Sequence, residues 1–170
     1  MAKKNTITAA EIDKAASGLT MDDFFLAVKL IRKDGVLFHD EEHDRLFYVK
    51  VNPQELHDYD NELCEADDSL ESILYGVFMA VKDTKHKTCE TRQNFNEHYR
   101  LNAASPMYKK DKNFSAYMAL YHTLAGWLRF WMEQIMEEQL NNLSEEEVIQ
   151  RCEELDRAAE KKPNLKVVKN

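Results

Sequence analysis

The chain of 170 residues reads as a mainly α protein, a helical bundle of five to seven helices with one β-hairpin at about residues 36–51. Three features predict this. Apolar residues recur at three-and-four spacing over most of the length, which marks one face of a helix. Four glycines and three prolines are too few for the many turns of a barrel. The period switches to β-rich runs in one place, between Val36 and Val51.

The organising stretch is Phe114 to Met132, which holds both tryptophans, Trp127 and Trp131. Phe114, Tyr117, Met118, Tyr121, Leu124, Ala125, Leu128, Trp131, Met132, Ile135 and Met136 form one helical stripe, and Leu120, Trp127 and Phe130 form a second apolar face. No proline lies between Asp111 and Asn141, so one helix of roughly 45 Å is allowed. A membrane span needs about 20 apolar residues; here His122, Thr123 and Arg129 interrupt the run. The expectation is a core helix in which Arg129 reaches an edge or a carboxylate, with Gly126 marking the close approach of a neighbouring helix.

The remaining elements follow in order. Residues 1–19 form an arm and a short helix, Thr8 to Ser17, ended by Gly18. Thr20, with Asp23 three residues on, caps a second helix. Its face is Phe24, Phe25, Val28 and Ile31, and it stops at Gly35. Val36–Phe38 and Leu46–Val51 flank the polar tip His39-Asp40-Glu41-Glu42-His43-Asp44-Arg45, which predicts a hairpin that projects from the body. Asn52-Pro53-Gln54-Glu55 starts a helix running to about Ala66. Asp68 with Glu71 opens the next, striped by Leu70, Ile73, Leu74, Val77, Phe78 and Val81. A weaker helix from Thr88 to Ala103 carries Phe95, Tyr99 and Leu101, then ends at Ser105-Pro106. Tyr108 to Lys112 is a basic loop. Ser144 with Glu147 caps a final amphipathic helix bearing Val148, Ile149, Cys152, Leu155 and Ala159. The helical domain thus spans 20–162, and a tail, 163–170, carries Leu165, Val167 and Val168, suited to a sheet edge.

Charge narrows the function. The net charge is −8, which disfavours general binding to nucleic acid. Residues 51–81 hold eight acidic residues and no lysine or arginine; 82–112 hold eight basic and four acidic; 133–160 hold ten acidic and two basic. Such alternation suits docking of unlike surfaces, although solvated helix faces produce the same pattern. Cys64, Cys89 and Cys152 form no CxxC pair. With no apolar segment after Lys3 and Lys4, no signal peptide is read, and the expected location is cytoplasmic, with reduced thiols.

Catalytic motifs are missing. There is no GxSxG, Walker loop or GxGxxG. The tip HDEEH has imidazoles and carboxylates that suit zinc or iron, but HExxH needs a helix and a glutamate in a different place. His86-Lys87-Thr88 is one half of a paired HxT pattern with no second half. No histidine has a glutamate three residues before it, as di-iron bundles require. His122 reads as a hydrogen-bonded core histidine. No catalytic, cofactor-binding or metal-ligating residue is therefore assigned.

The leading expectation is a non-enzymatic protein-interaction or assembly component whose partner is another protein or further copies of itself. A structural subunit of a larger particle, such as a bacteriophage connector or ring, is one setting for it. Two alternatives stand beside it. One is a nucleic-acid-associated regulatory protein using 82–112, where Phe95, Tyr99 and Tyr108 alternate with Lys85, Lys87, Arg92, Arg100, Lys109 and Lys110. The other is a metal-dependent hydrolase on the hairpin tip.

Overall fold

A computed structural model describes residues 6–59, 69–106 and 111–160. In these the order is α1 (Ala9–Ser17), α2 (Met21–Asp34), β1 (Val36–Asp40), β2 (Arg45–Val49), α3 (Pro53–Tyr59), α4 (Leu70–Lys82), α5 (Glu90–Ala104), α6 (Lys112–Asn141) and α7 (Glu145–Glu160). The predicted helical bundle with one hairpin is the fold. The arm at 1–5, the extension of α3 to Ala66, the cap Asp68, Cys64, the loop residues 107–110 and the tail lie outside the described residues.

Helix starts follow local chemistry. The Thr8 hydroxyl accepts from the Glu11 N–H at 3.2 Å. Thr20 and Asp23 exchange bonds in a capping box, the Thr20 N–H donating to Asp23 Oδ2 at 2.8 Å. Asp111 accepts from the Phe114 N–H at 3.0 Å, and this opens the 30-residue α6. Helix α4 is capped by Ser69, whose hydroxyl accepts from the Ser72 N–H at 3.2 Å; the expected cap was one residue earlier. At α5 the N-cap is Cys89, which makes no side-chain cap bond.

The core gathers around α6, which packs on α1 to α5 and on β1, most extensively on α5. Leu120, Leu124 and Leu128 are fully enclosed, with Phe24, Leu74, Phe78, Phe95 and Tyr99 around them. The expected packing on α2 and α4 is present, but α5 is the main neighbour despite its polar composition. Its two rings, Phe95 and Tyr99, are buried, whereas Leu101 is 63 % exposed. The first half of α6 buries Ser115, Ala116, Ala119 and Thr123 while Phe114 stays out. Small side chains there leave room for α5, so the buried face is turned away from Phe114. Phe25 likewise leaves the predicted core face: Phe24, Ala27, Val28 and Ile31 are buried and Phe25 is 51 % exposed.

The hairpin does not stand free. Val36 pairs with Val49 and Asp40 with Arg45. Val36 and Phe38 belong to the core, since a two-stranded sheet needs a surface to lie on. Only β2 and the tip remain largely outside. Arg129 reaches an edge as expected: its Nε donates to the Leu37 carbonyl at 2.8 Å. Gly35, with φ +88, lies against β2; a Cβ there would sit 2.3 Å from the Val49 oxygen. Gly126, by contrast, is not a point of close approach: a Cβ there would meet nothing within 4 Å.

Candidate interaction site

Helix α7 is the element that the body leaves uncovered. Its start is well made. The Ser144 N–H donates to Glu147 Oε2 at 2.8 Å and the Glu147 N–H to Ser144 Oγ at 3.3 Å. Glu145, Glu146 and Glu147 place negative charge at the positive end of the helix. The apolar stripe is Val148, Ile149, Cys152 and Leu155. Val148 is half-buried and the other three are exposed, Ile149 at 57 % and Leu155 at 62 %. An amphipathic helix of this kind draws its stability from covering its apolar face. Among the described residues one ion pair ties α7 to the body, Arg45 Nη2 to Asp156 Oδ1 at 3.1 Å.

A second uncovered surface lies across α2 and α4. These helices run antiparallel, with Arg32 at the end of α2 paired to Glu71 at the start of α4. The buried Phe24 ring stacks on Phe78 at 4.9 Å and touches Phe25 at 5.6 Å and Tyr75 at 6.2 Å. Phe25 and Tyr75 flank it on the outside, and Met21 and Met79 continue the surface one turn along. Gly76 is exposed beside them, and a Cβ on it would meet nothing within 4 Å. The sequence carries a signal for this patch: Tyr75 and Met79 fall off the Leu70–Val81 stripe at helical spacing of their own.

The hairpin tip brings its imidazoles and carboxylates into pairs with one another. His39 Nε2 meets Asp44 Oδ1 and His43 Nδ1 meets Asp40 Oδ2, each at 3.0 Å. Arg45 donates to Asp40 at 2.9 Å. The Arg45 bond, helped by His43, pulls the Asp40 carboxyl down to about 2. Among the described residues no three His, Cys, Asp or Glu side chains converge as a metal site.

Part of the basic segment is tied to α1, with Arg92 buried while Lys87 and Lys112 stay exposed. Asp13 on α1 takes both Lys87 and Arg92, and Glu11 takes Lys112 at 2.9 Å. The Lys82 ammonium donates to the Leu19 carbonyl. Phe95 and Tyr99 are core residues, so neither offers a face for a base. Lys85 and Arg100 are exposed; Tyr108, Lys109 and Lys110 lie outside the described residues. His86 bonds Asp83 at 2.7 Å. His122 is not in the core; it is exposed and stacks on His98 of α5, ring centres 5.5 Å apart.

Cys89 and Cys152 are free. A shallow hollow lined in part by Val49, Glu55, Met132 and Met136 has space for about 60 Å³, room for a few waters. Among the described residues no helix is long and apolar enough to cross a membrane. Compared with known families, curated proteins and solved structures, the chain finds no match to any family model, protein or structure.

Proposed function

We propose that this protein is a non-enzymatic interaction or assembly component, and that α7 is its docking element. One observation carries this reading: a well-capped sixteen-residue helix whose apolar stripe is exposed at Ile149, Cys152 and Leu155. Exposed apolar surface of this continuity marks a contact site. The α2–α4 patch and the outer side of β2, with Leu46 68 % exposed, supply further surface for contacts. A multi-copy particle, such as a bacteriophage connector or ring, is a setting in which all three would be covered.

The test replaces Ile149 and Leu155 by lysine in the full chain. Because both side chains are exposed, the melting temperature should stay within about 2 °C, as surface changes normally do. Association with partner or copy should be lost. A melting temperature lowered as far as core substitutions lower it would show that α7 packs within its own chain, and the reading would fall.

A further inference from the structure

We infer that the open edge of β2 is taken by residues 161–170 of the same chain, the segment that follows α7, as a third strand of the hairpin sheet. The inference goes beyond the docking reading above and does not need it, because it concerns a strand edge and not the apolar stripe of α7.

The edge itself is the first observation. Alternate residues of a strand turn their N–H and C=O groups to opposite sides. Strand β1 takes one side of β2, and among the described residues no strand lies on the other. Strand β1 packs on α6, whereas Leu46, Phe47 and Tyr48 in the middle of β2 are all exposed. A bare edge of this kind is a template for pairing, and proteins normally cover it.

The place where α7 ends selects the occupant. The Asp156 carboxylate meets Arg45 at 3.1 Å, so the end of α7 is held at the first residue of β2. The helix stops at Glu160, about 6 Å further along its axis. The link Lys161-Lys162-Pro163-Asn164 can cross up to about 14 Å, and Pro163 has no N–H to leave unpaired there. Residues 165–170 can then span about 20 Å as a strand, enough for the roughly 17 Å of β2. Entering at Arg45, such a strand runs alongside β2 towards Val49.

Composition and charge agree with this placing. Val167 and Val168 favour a strand. Residues 36–49 hold four acidic residues and one arginine, while 161–170 hold four lysines and no acidic residue. That arginine, Arg45, is already bonded to Asp40 and Asp156. Glu41, Glu42 and Asp44 are exposed at the tip, next to Arg45, near which the chain leaves α7 for Lys161 and Lys162. Lys50, just past β2, turns its ammonium to the Lys33 carbonyl. Opposite charges therefore meet where the segment enters. A filled edge denies β2 to strands of other chains and leaves the outward side chains Leu46 and Tyr48 in place.

The experiment compares amide exchange, read by mass spectrometry, in the full chain and in the full chain carrying Val167→Pro and Val168→Pro. Adjacent N–H groups point to opposite sides of a strand, so one of the two prolines removes a bond to β2 whichever way the segment faces. The expected result is exchange in β2 and in 165–170 that is at least about tenfold slower in the unaltered chain, with α4 and α5 the same in both. A photo-reactive benzoylphenylalanine at position 165, in an equal mixture of isotopically light and heavy chains, reports whose β2 the segment touches. Cross-linked peptides should join position 165 to β2 within chains of one isotope. Free exchange in 165–170, with β2 unchanged by the prolines, overturns the inference and leaves the docking reading of α7 standing. Cross-links that join light to heavy chains also overturn it, because the edge is then held by a second copy.

Discussion

The guanidinium of Arg92 is buried against the carboxylate of Asp13, seventy-nine residues earlier in the chain. Arg92 is 1 % exposed. Its Nη1 donates to the carbonyls of Val81 and Asp83, both at 3.1 Å, and its Nε to Asn96 at 3.0 Å. One side chain therefore joins α1, the end of α4 and α5. Arg92→Met removes the charge and leaves those acceptors behind. The expected loss is about 3 kcal/mol, a fall of roughly 6–12 °C in melting temperature. Asp13→Asn, which keeps Arg92 bonded to the two carbonyls, should cost less. Differential scanning calorimetry of the two variants and the double variant measures both.

Acid should lower the stability of the protein over two separate pH ranges. His98 and His122 are both held below the ordinary imidazole value, chiefly by desolvation; Arg129 adds to this in each, and His98 itself acts on His122. The native chain thus takes up these protons later than the unfolded chain. Their contribution is complete above the unfolded value of about 6.5 and is lost as pH falls through the lower native values. Asp13, Asp40 and Asp83 are also depressed, first by the hydrogen bonds from Lys87, Arg45 and His86 respectively. Their contribution is full above about pH 4 and disappears as pH approaches the native values, about 2 for Asp40. Urea midpoints between pH 2 and 8 should show both slopes. His98→Gln should flatten the upper one only, and Asp40→Asn should reduce the lower one only.

Much of the local structure is written in short-range chemistry. Thr8, Thr20, Asp111 and Ser144 each bond a backbone group three residues away, so their role is visible without knowing the fold. The same holds for the single change of period at Val36. What local pattern does not contain is the choice among apolar faces. Phe25 and Phe114 are larger than Ala27 and Ala116, yet the alanines are inside, because the space between helices is set by partners far along the chain. The pairing of the basic segment is hidden for the same reason: Asp13 and Glu11, which meet Lys87, Arg92 and Lys112, stand about seventy to one hundred residues away. The bare stripe of α7 has a regular helical signature, and only the structure shows that the body leaves it open.

Two glycines should respond in opposite directions. Gly35 has φ +88 and ψ −165, a region open to glycine almost alone. A methyl group there would strike the Val49 carbonyl. Gly35→Ala should therefore cost about 3 kcal/mol and disturb the junction of α2 with the hairpin. Gly126 lies inside α6 with open space where its Cβ would be. Gly126→Ala should stabilise by about 0.5–1 kcal/mol, or roughly 1–4 °C. A destabilising Gly126→Ala would mean that a neighbouring surface does press on α6 at this point.

Arg129 links the hairpin to the rod at the centre of the fold. Its Nε donates to the Leu37 carbonyl on the side of β1 nearest α6, and the buried Phe38 ring stacks on Phe47 of β2 at 5.9 Å. Arg129→Met keeps the aliphatic contact and removes the donor, so the loss should be about 1–1.5 kcal/mol. That corresponds to amide exchange roughly ten times faster in β1 and β2 if the hairpin opens as a unit. Exchange in α4 and α5 should not change. The effect should extend to α7, because Arg45 at the start of β2 holds Asp156: a looser hairpin gives α7 a looser anchor. Hydrogen exchange read by mass spectrometry separates these outcomes. Faster exchange in the hairpin with α7 unaffected would show that the Arg45–Asp156 pair does not govern how α7 is presented.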